Sequence, residues 1–185
     1  MKTILLLLLV LNFAESQTEK SKLFMTRSGK ISFHAGTPIE DIDPINNEVT
    51  SILNITNGEL VFQILIKAFH FKKALMEEHF NENYMESNSF PRSTFKGKIT
   101  NLYDINFQKD GTYIAAIKGE LIIKGIKKEI TSSATLIVNG GKIIGTTKFK
   151  LEVADFKIEI PSLVANKISN NVDVEVECRY EPRTK

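Results

Sequence analysis

The stretch "TYIAAIKGELIIKGIKKEITSSATLIV", Thr112 to Val138, alternates apolar or small residues with charged or polar ones on both sides of a "KGIKK" break. A period of two is the mark of a strand with one face buried. The break at Lys124 to Lys128 carries turn chemistry, so the stretch predicts two antiparallel strands, Thr112 to Gly125 and Lys128 to Val138. Because side chains alternate faces, Tyr113, Ala115, Ile117, Gly119, Leu121 and Ile123 share one side. Ile130, Ser132, Ala134, Leu136 and Val138 continue that side on the second strand.

The same pattern runs outward in both directions. It predicts strands over Lys30 to His34, Val49 to Thr56, Glu59 to Phe69, Ser93 to Asn101, Lys142 to Val153 and Asn171 to Tyr180. "NG" at Asn57 and Gly58 is the strongest short hairpin signal, and "KDG" and "NGG" punctuate the later strands. Tight hairpins between about eight strands predict an antiparallel meander, and strands of this length can close into a barrel that leaves no free edge. A two-sheet sandwich is the alternative.

One segment breaks the pattern. From Lys72 to Glu86 the apolar positions Leu75, Met76, Phe80 and Tyr84 recur at helical spacing, with Glu77, Glu78, Asn81 and Glu82 on other faces. Pro91 stops any helix. A single amphipathic helix is thus inserted between two strands, and its apolar stripe is expected to cover one open end of the barrel.

Parity also assigns an inside. Leu60, Phe62, Ile64, Ile66, Phe95, Ile99, Phe149, Leu151, Val172, Val174, Val176 and Cys178 fall with the Ala115 set. The lysines and glutamates Lys67, Lys96, Lys98, Lys118, Glu120, Lys148, Lys150, Glu175 and Glu177 fall opposite. Gly97, Ala115, Gly119, Ser132, Ala134, Gly145 and Thr147 are small members of the inward set. A self-filled barrel wants bulk there, whereas an eight-stranded barrel that holds one ligand does not. Alternating small and large packing is the competing account. The inward set is almost uncharged, so a ligand would be apolar along most of its length. Phe62, Ile64, Phe95, Ala115, Ile117, Gly119, Ala134, Leu136 and Phe149 are the candidate lumen residues, with Phe80 and Tyr84 as the lid.

The chain of 185 residues fits one domain and carries a formal net charge of only +2, which argues against nucleic acid as a partner. Lys2, the apolar run Ile4 to Leu11, and small residues at Ala14 and Ser16 predict an export signal over residues 1–16, followed by one domain over 17–185. That run is too short to span a bilayer. Cys178 is the single cysteine, so no intramolecular disulfide forms. It shares the apolar parity and is expected to be buried and inert.

No catalytic constellation emerges. His34, His70 and His79 lack metal-site spacing, and neither HExxH nor paired cysteines occur. No nucleophile elbow accompanies Ser87, Ser89 or Ser93, and no phosphate loop is present. Asp155 in "ADFKIEIP" is expected to cap a turn. The residues therefore predict no enzyme, no metal and no cofactor.

Three segments resemble the YceI-like family of exported lipocalin-like proteins. In "FHFKKALMEEHFNENYMESNSFPRSTFKGKI" the matching positions are Phe80, Tyr84, Met85, Glu86, Ser87, Pro91, Phe95 and Gly97. "GTYIAAIKGELIIKGIKKEI" is similar to the family's "G-x-L-x-I-x-G-x-x-K" hairpin, and "FKLEVADFKIEIP" with the closing strand to its "D-F/Y-x-I-x-x-P" region. The chain departs from the family around Gly36 to Thr50, which is longer and acidic. The resemblance implies a lipocalin-like barrel, export to the bacterial periplasm or envelope, and a polyisoprenoid, isoprenoid quinone or similar lipid as the bound partner. It does not imply catalysis, and a homodimer is compatible with it. The alternative from another class is an envelope structural or stress-response protein with a self-filled barrel that acts through protein contacts.

Overall fold

The computed structural model describes residues 22–183; the export segment expected over residues 1–16 lies outside them. The described residues form eight antiparallel strands that close in sequence order into a barrel. The strands are β1 (Leu23–His34), β2 (Ile45–Asn54), β3 (Glu59–Leu65), β4 (Arg92–Ile99), β5 (Gly111–Ile123), β6 (Ile126–Asn139), β7 (Lys142–Glu152) and β8 (Asn171–Pro182). Pairing of β8 with β1, as at Val174 opposite Phe33, completes the closure. Lys124 and Gly125 both have positive φ between the paired Ile123 and Ile126, as do Gly140 and Gly141 between Asn139 and Lys142. These are two-residue turns of the type that matches strand twist.

The parity holds. Leu60, Ile64, Phe95, Ala115, Leu121, Ala134, Leu136, Val174 and Cys178 are buried, while Lys96, Lys98, Lys118, Lys148 and Lys150 are exposed. Outside, Lys148 pairs with Glu175 and Lys150 with Asp173 directly across the β7–β8 ladder. Such exposed pairs each contribute at most about 1 kcal/mol; the buried face holds the wall.

Three boundaries differ from the alternation by four residues or more; β2 begins at Ile45 rather than Val49. β1 begins at Leu23 rather than Lys30, because its register shifts at Gly29 and hides the period. A Cβ on Gly29 would lie 2.7 Å from Cys178 Sγ, so only glycine permits that approach. β3 ends at Leu65 rather than Phe69; Ile66–Ala68 turns as a 3₁₀ segment, and the Ile66 N–H donates to the Pro91 carbonyl at 3.0 Å.

Connections alternate between two ends. One end holds the β2–β3 and β6–β7 turns, and it is filled. Leu53, Leu60, Ile99, Leu136, Val138, Ile143 and Tyr180 pack there. The buried Ser51 hydroxyl donates to the Val61 carbonyl at 2.9 Å and accepts from Tyr180 Oη at 2.8 Å. Only a void of about 30 Å³ remains, between Phe62, Ile117, Ala134, Leu136 and their neighbours.

The small inward residues belong to this filled part, and bulky neighbours cover them. Gly97 and Gly119 face each other across β4 and β5, and the Phe95 ring lies over both: a Cβ on either would meet its Cζ at 2.5 or 2.6 Å. Leu136 and Tyr180 cover Gly145. Ser132 and Thr147 bond to each other at 2.8 Å. Ala115 is fully buried. Small residues here mark close packing, with a void of about 30 Å³ beside Ala134, Gly145 and Thr147.

Two outcomes follow. Gly119→Ala would place Cβ 2.4 Å from Gly97 Cα and 2.5 Å from the Lys96 carbonyl oxygen. It should lower unfolding free energy by at least the roughly 1–3 kcal/mol of an overpacked core, read by urea titration. Burial pushes the Cys178 thiol up to about 12 and raises the Tyr180 hydroxyl well above its ordinary value. Both groups stay neutral in the fold while the unfolded chain ionises. Their contribution is therefore whole below the ordinary thiol range and is lost as pH rises from there towards the folded value. Each contributes a slope of about 1.4 kcal/mol per pH unit where only the unfolded form ionises. Cys178→Ser should make the alkaline decline shallower by about that slope.

Candidate functional site

The other end of the barrel is hollow. It carries the β1–β2 loop, the β3–β4 segment with the helix, the β5–β6 turn and the β7–β8 loop. A cavity of about 470 Å³ lies beneath them, within the usual size range of small-molecule sites. Its walls are the strand ends: Ile31 and Phe33, Ile64, Leu121 and Ile123, Phe149 and Leu151, Val172 and Val174. Phe156, delivered by the 3₁₀ turn Val153–Phe156, is 2% exposed and also lines it. Asp155 in that turn does not cap it; its carboxylate pairs with Lys128 at 2.7 Å. Strand side chains supply no charge to the lining. Its charged groups, Glu40, Lys73 and Lys167, come from the covering segments.

The helix α1 (Ala74–His79) continues through a π turn at Phe80–Tyr84, closed by the Met85 N–H on the Phe80 carbonyl at 2.8 Å. The helical geometry is thus shorter than Lys72 to Glu86. The bulge leaves Asn81 Oδ1 buried without a partner among the described residues. Such bulges are frequent at functional sites.

The helix docks through the Phe80 ring and through Glu77 Oε2, which accepts from the Phe71 N–H at 3.1 Å. Phe80 sits 5.7 Å from Phe33, 5.6 Å from Phe69 and 5.0 Å from Phe71, centroid to centroid. Aromatic pairs at such distances contribute about 0.5–1.5 kcal/mol each beyond area burial. Polar ties join the cover to its surroundings. Lys73 Nζ lies 2.5 Å from Glu40 Oε1 and holds that carboxyl below the usual carboxylate range, with Lys167 adding to the effect. Glu86 pairs at 2.7 Å with Lys124, whose side chain is largely buried. Thr37 Oγ1 donates to the Asn166 carbonyl, and the Ser169 N–H to that of Ala35, both at 2.8 Å. Around this cover, Ile39, Leu75 and Leu163 stand 63%, 60% and 91% exposed, one on each of three covering segments.

Of the residues expected from sequence, Ile64, Phe80, Tyr84 and Phe149 come together at the cavity. Phe62, Ile117, Ala134 and Leu136 surround the small void at the filled end instead. Phe95, Ala115 and Gly119 border neither space. The Tyr84 hydroxyl has no partner among the described residues, and burial raises its pKa. Sequence reasoning missed Phe33, Phe69, Phe71, Phe156 and Ser93. The alternation of "KISFH" and the parity of Ser93 with Phe95 carried signal for two of them.

The histidines do not converge. His34 Nδ1 is 2.6 Å from Asp43, His70 is 3.6 Å from Glu77, and His79 stands exposed at the cavity mouth. Among the described residues no group of three or more His, Cys, Asp or Glu is placed to hold a metal. No described helix is long and apolar enough to cross a membrane.

The YceI-like domain family model matches residues 17–180, and the chain belongs to that family. No curated protein matches it by sequence. Among solved structures it is similar to a polyisoprenoid binding domain from Saccharophagus degradans implicated in plant cell wall breakdown. That match has 14% identity, a TM-score of 0.76, and covers 89% of this chain and 100% of the other. Burkholderia cenocepacia BcnA is similar at 12% identity and a TM-score of 0.64, covering 82% and 95%. The Campylobacter jejuni YceI protein follows at 18% identity and a TM-score of 0.52, covering 76% and 84%. At these identities the likeness establishes the fold.

Phe80→Ala should uncouple the cover from the wall. The ring is only partly buried, so the cost should fall near about 3 kcal/mol, the low end for such truncations. Hydrogen exchange should rise over residues 74–84 while β5 and β6 stay protected. Unchanged exchange there would show that the ring cluster does not hold the helix.

Proposed function

We propose that this YceI-like protein is an exported carrier that holds a long apolar ligand, of the polyisoprenoid or isoprenoid-quinone class, in the hollow half of its barrel. The observation that carries this reading is the 470 Å³ cavity, whose strand-borne lining is uncharged and whose charges stand on the covering segments. An apolar ligand buried there gains about 25 cal/mol for each Å² removed from water. The similar Saccharophagus degradans domain is a polyisoprenoid binding domain, which supports the same ligand class. Exposed Ile39, Leu75 and Leu163 mark an apolar approach to the mouth.

Binding without catalysis is the role these residues support. Cys178 is buried with its thiol pushed up to about 12, far from a reactive thiolate. The histidines are spread over separate partners. Export to a bacterial periplasm or envelope rests on the leader read over residues 1–16, and the family match beginning at residue 17 supports that division. The alternative of a wholly self-filled barrel acting through protein contacts fits the filled end but leaves the cavity without a role.

Native mass spectrometry of protein recovered from an expressing cell's envelope tests the reading. The chain should begin near Gln17 and carry an apolar adduct that organic solvent extracts. Val174→Phe adds bulk from β8 into the cavity; it should shed the adduct with little change in melting temperature. A chain starting at Met1 would sink the export reading, and an adduct-free parent the carrier reading.

A further inference from the structure

Ser93 is 7% exposed, lies on β4 and lines the cavity. Its hydroxyl has no hydrogen-bond partner among the described residues. Of the other buried serines, Ser51 bonds to Val61 and Tyr180 at the filled end, and Ser87 lies outside the cavity lining. The strand register places Ser93 opposite Ile64 and one inward position from Phe95, at the boundary between the hollow and filled halves. The Ser93 oxygen is open to the cavity, unlike the enclosed Asn81 Oδ1, so a partner for it has to come from what the cavity holds.

The position also limits what could pair with it. The charged groups of the cavity, Glu40, Lys73 and Lys167, belong to the covering segments, and none stands on a strand. A phosphate or carboxylate at Ser93 would be buried without a counter-charge. A neutral oxygen would not. We infer that Ser93 is the internal anchor for a ligand that carries one uncharged oxygen function, an alcohol or a carbonyl, on its apolar chain. That end enters first and bonds to Ser93, and the chain runs back towards the mouth. The inference rests on the carrier reading above and specifies the orientation and chemical class of its cargo.

Calorimetric titration with farnesol, a neutral prenyl alcohol, and farnesene, the hydrocarbon of similar chain, tests it. Ser93→Ala removes one oxygen with almost no change in shape. It should weaken farnesol binding about fivefold to tenfold, the equivalent of one neutral hydrogen bond, and leave farnesene binding unchanged. Ser93→Thr, which keeps a hydroxyl, should retain farnesol better than Ser93→Ala. Tyr84→Phe serves as the comparison, because its hydroxyl is the other unpartnered one in the lining. If the alcohol is lost on Tyr84→Phe and kept on Ser93→Ala, the anchor is misassigned. Equal changes for both probes, or none for either with binding intact, would also overturn it; the latter would leave Ser93 bonded to solvent. If neither probe binds the parent protein, the carrier reading fails and the anchor with it.

Discussion

The contact on which the rest of the molecule depends is the Phe95 ring over the Gly97–Gly119 pair. It requires two glycines facing each other on neighbouring strands, because a Cβ on either would stand within 2.6 Å of the ring's Cζ. Below it, Leu60, Leu136, Tyr180 and their neighbours pack at the density of an ordinary core. Above it, the same wall carries side chains that do not meet across the barrel, and a cavity results. The ring belongs to the filled half, and the hollow half begins beyond it at Ile64, Ser93 and Leu121. The family's "F-x-G" is legible as this device.

The two halves are held by different chemistry. At the filled end the Ser51, Tyr180 and Val61 bonds and the deep burial of Cys178 leave little freedom. At the hollow end the cover rests on the Phe80 cluster and on ion pairs that are mostly exposed. Exposed pairs such as Lys73 with Glu40 position segments more than they stabilise them. Elements that open for a ligand come from the less stable part of a fold. Here that part is one short helix with a π bulge, held by the Phe80 ring, the Phe71 N–H bond to Glu77 and ion pairs at its flanks.

Much of this was legible in sequence because strand parity is a strict rule. Alternation around Ala115 and Lys118, and turns at Asn57–Gly58 and Gly140–Gly141, lead directly to eight strands and to the correct inner face. What parity does not supply is height along the barrel axis. Phe149 and Leu136 share a face, yet one borders the cavity and the other the filled end. Height follows from the register, which Gly29 shifts in β1 through its contact with Cys178. For the same reason the small residues pointed to space, although close neighbours fill it. The sequence offered self-filled and hollow barrels as alternatives, and the fold contains both, stacked along its axis.

Stacking them in this order has a consequence for the ligand. A barrel hollow throughout could take a chain of any chemistry to any depth. In this one the cavity ends at Ile64, Ser93 and Leu121, so a ligand reaching that level would meet a fixed set of atoms. Apolar wall residues such as Ile64, Ile123 and Val174 recognise only the absence of polarity, and hydrophobic contacts discriminate poorly between chains of similar width. A polar group that is left unpaired without its partner discriminates far better. Polar discrimination in this cavity therefore rests on the few hydroxyls of its lining and on the charged groups of the cover. The stretch "YMESNSFPRSTFKG" supplies both Tyr84 and Ser93 within ten residues. The segment that brings the chain from the cover back to the wall thus also supplies two hydroxyls of the cavity lining.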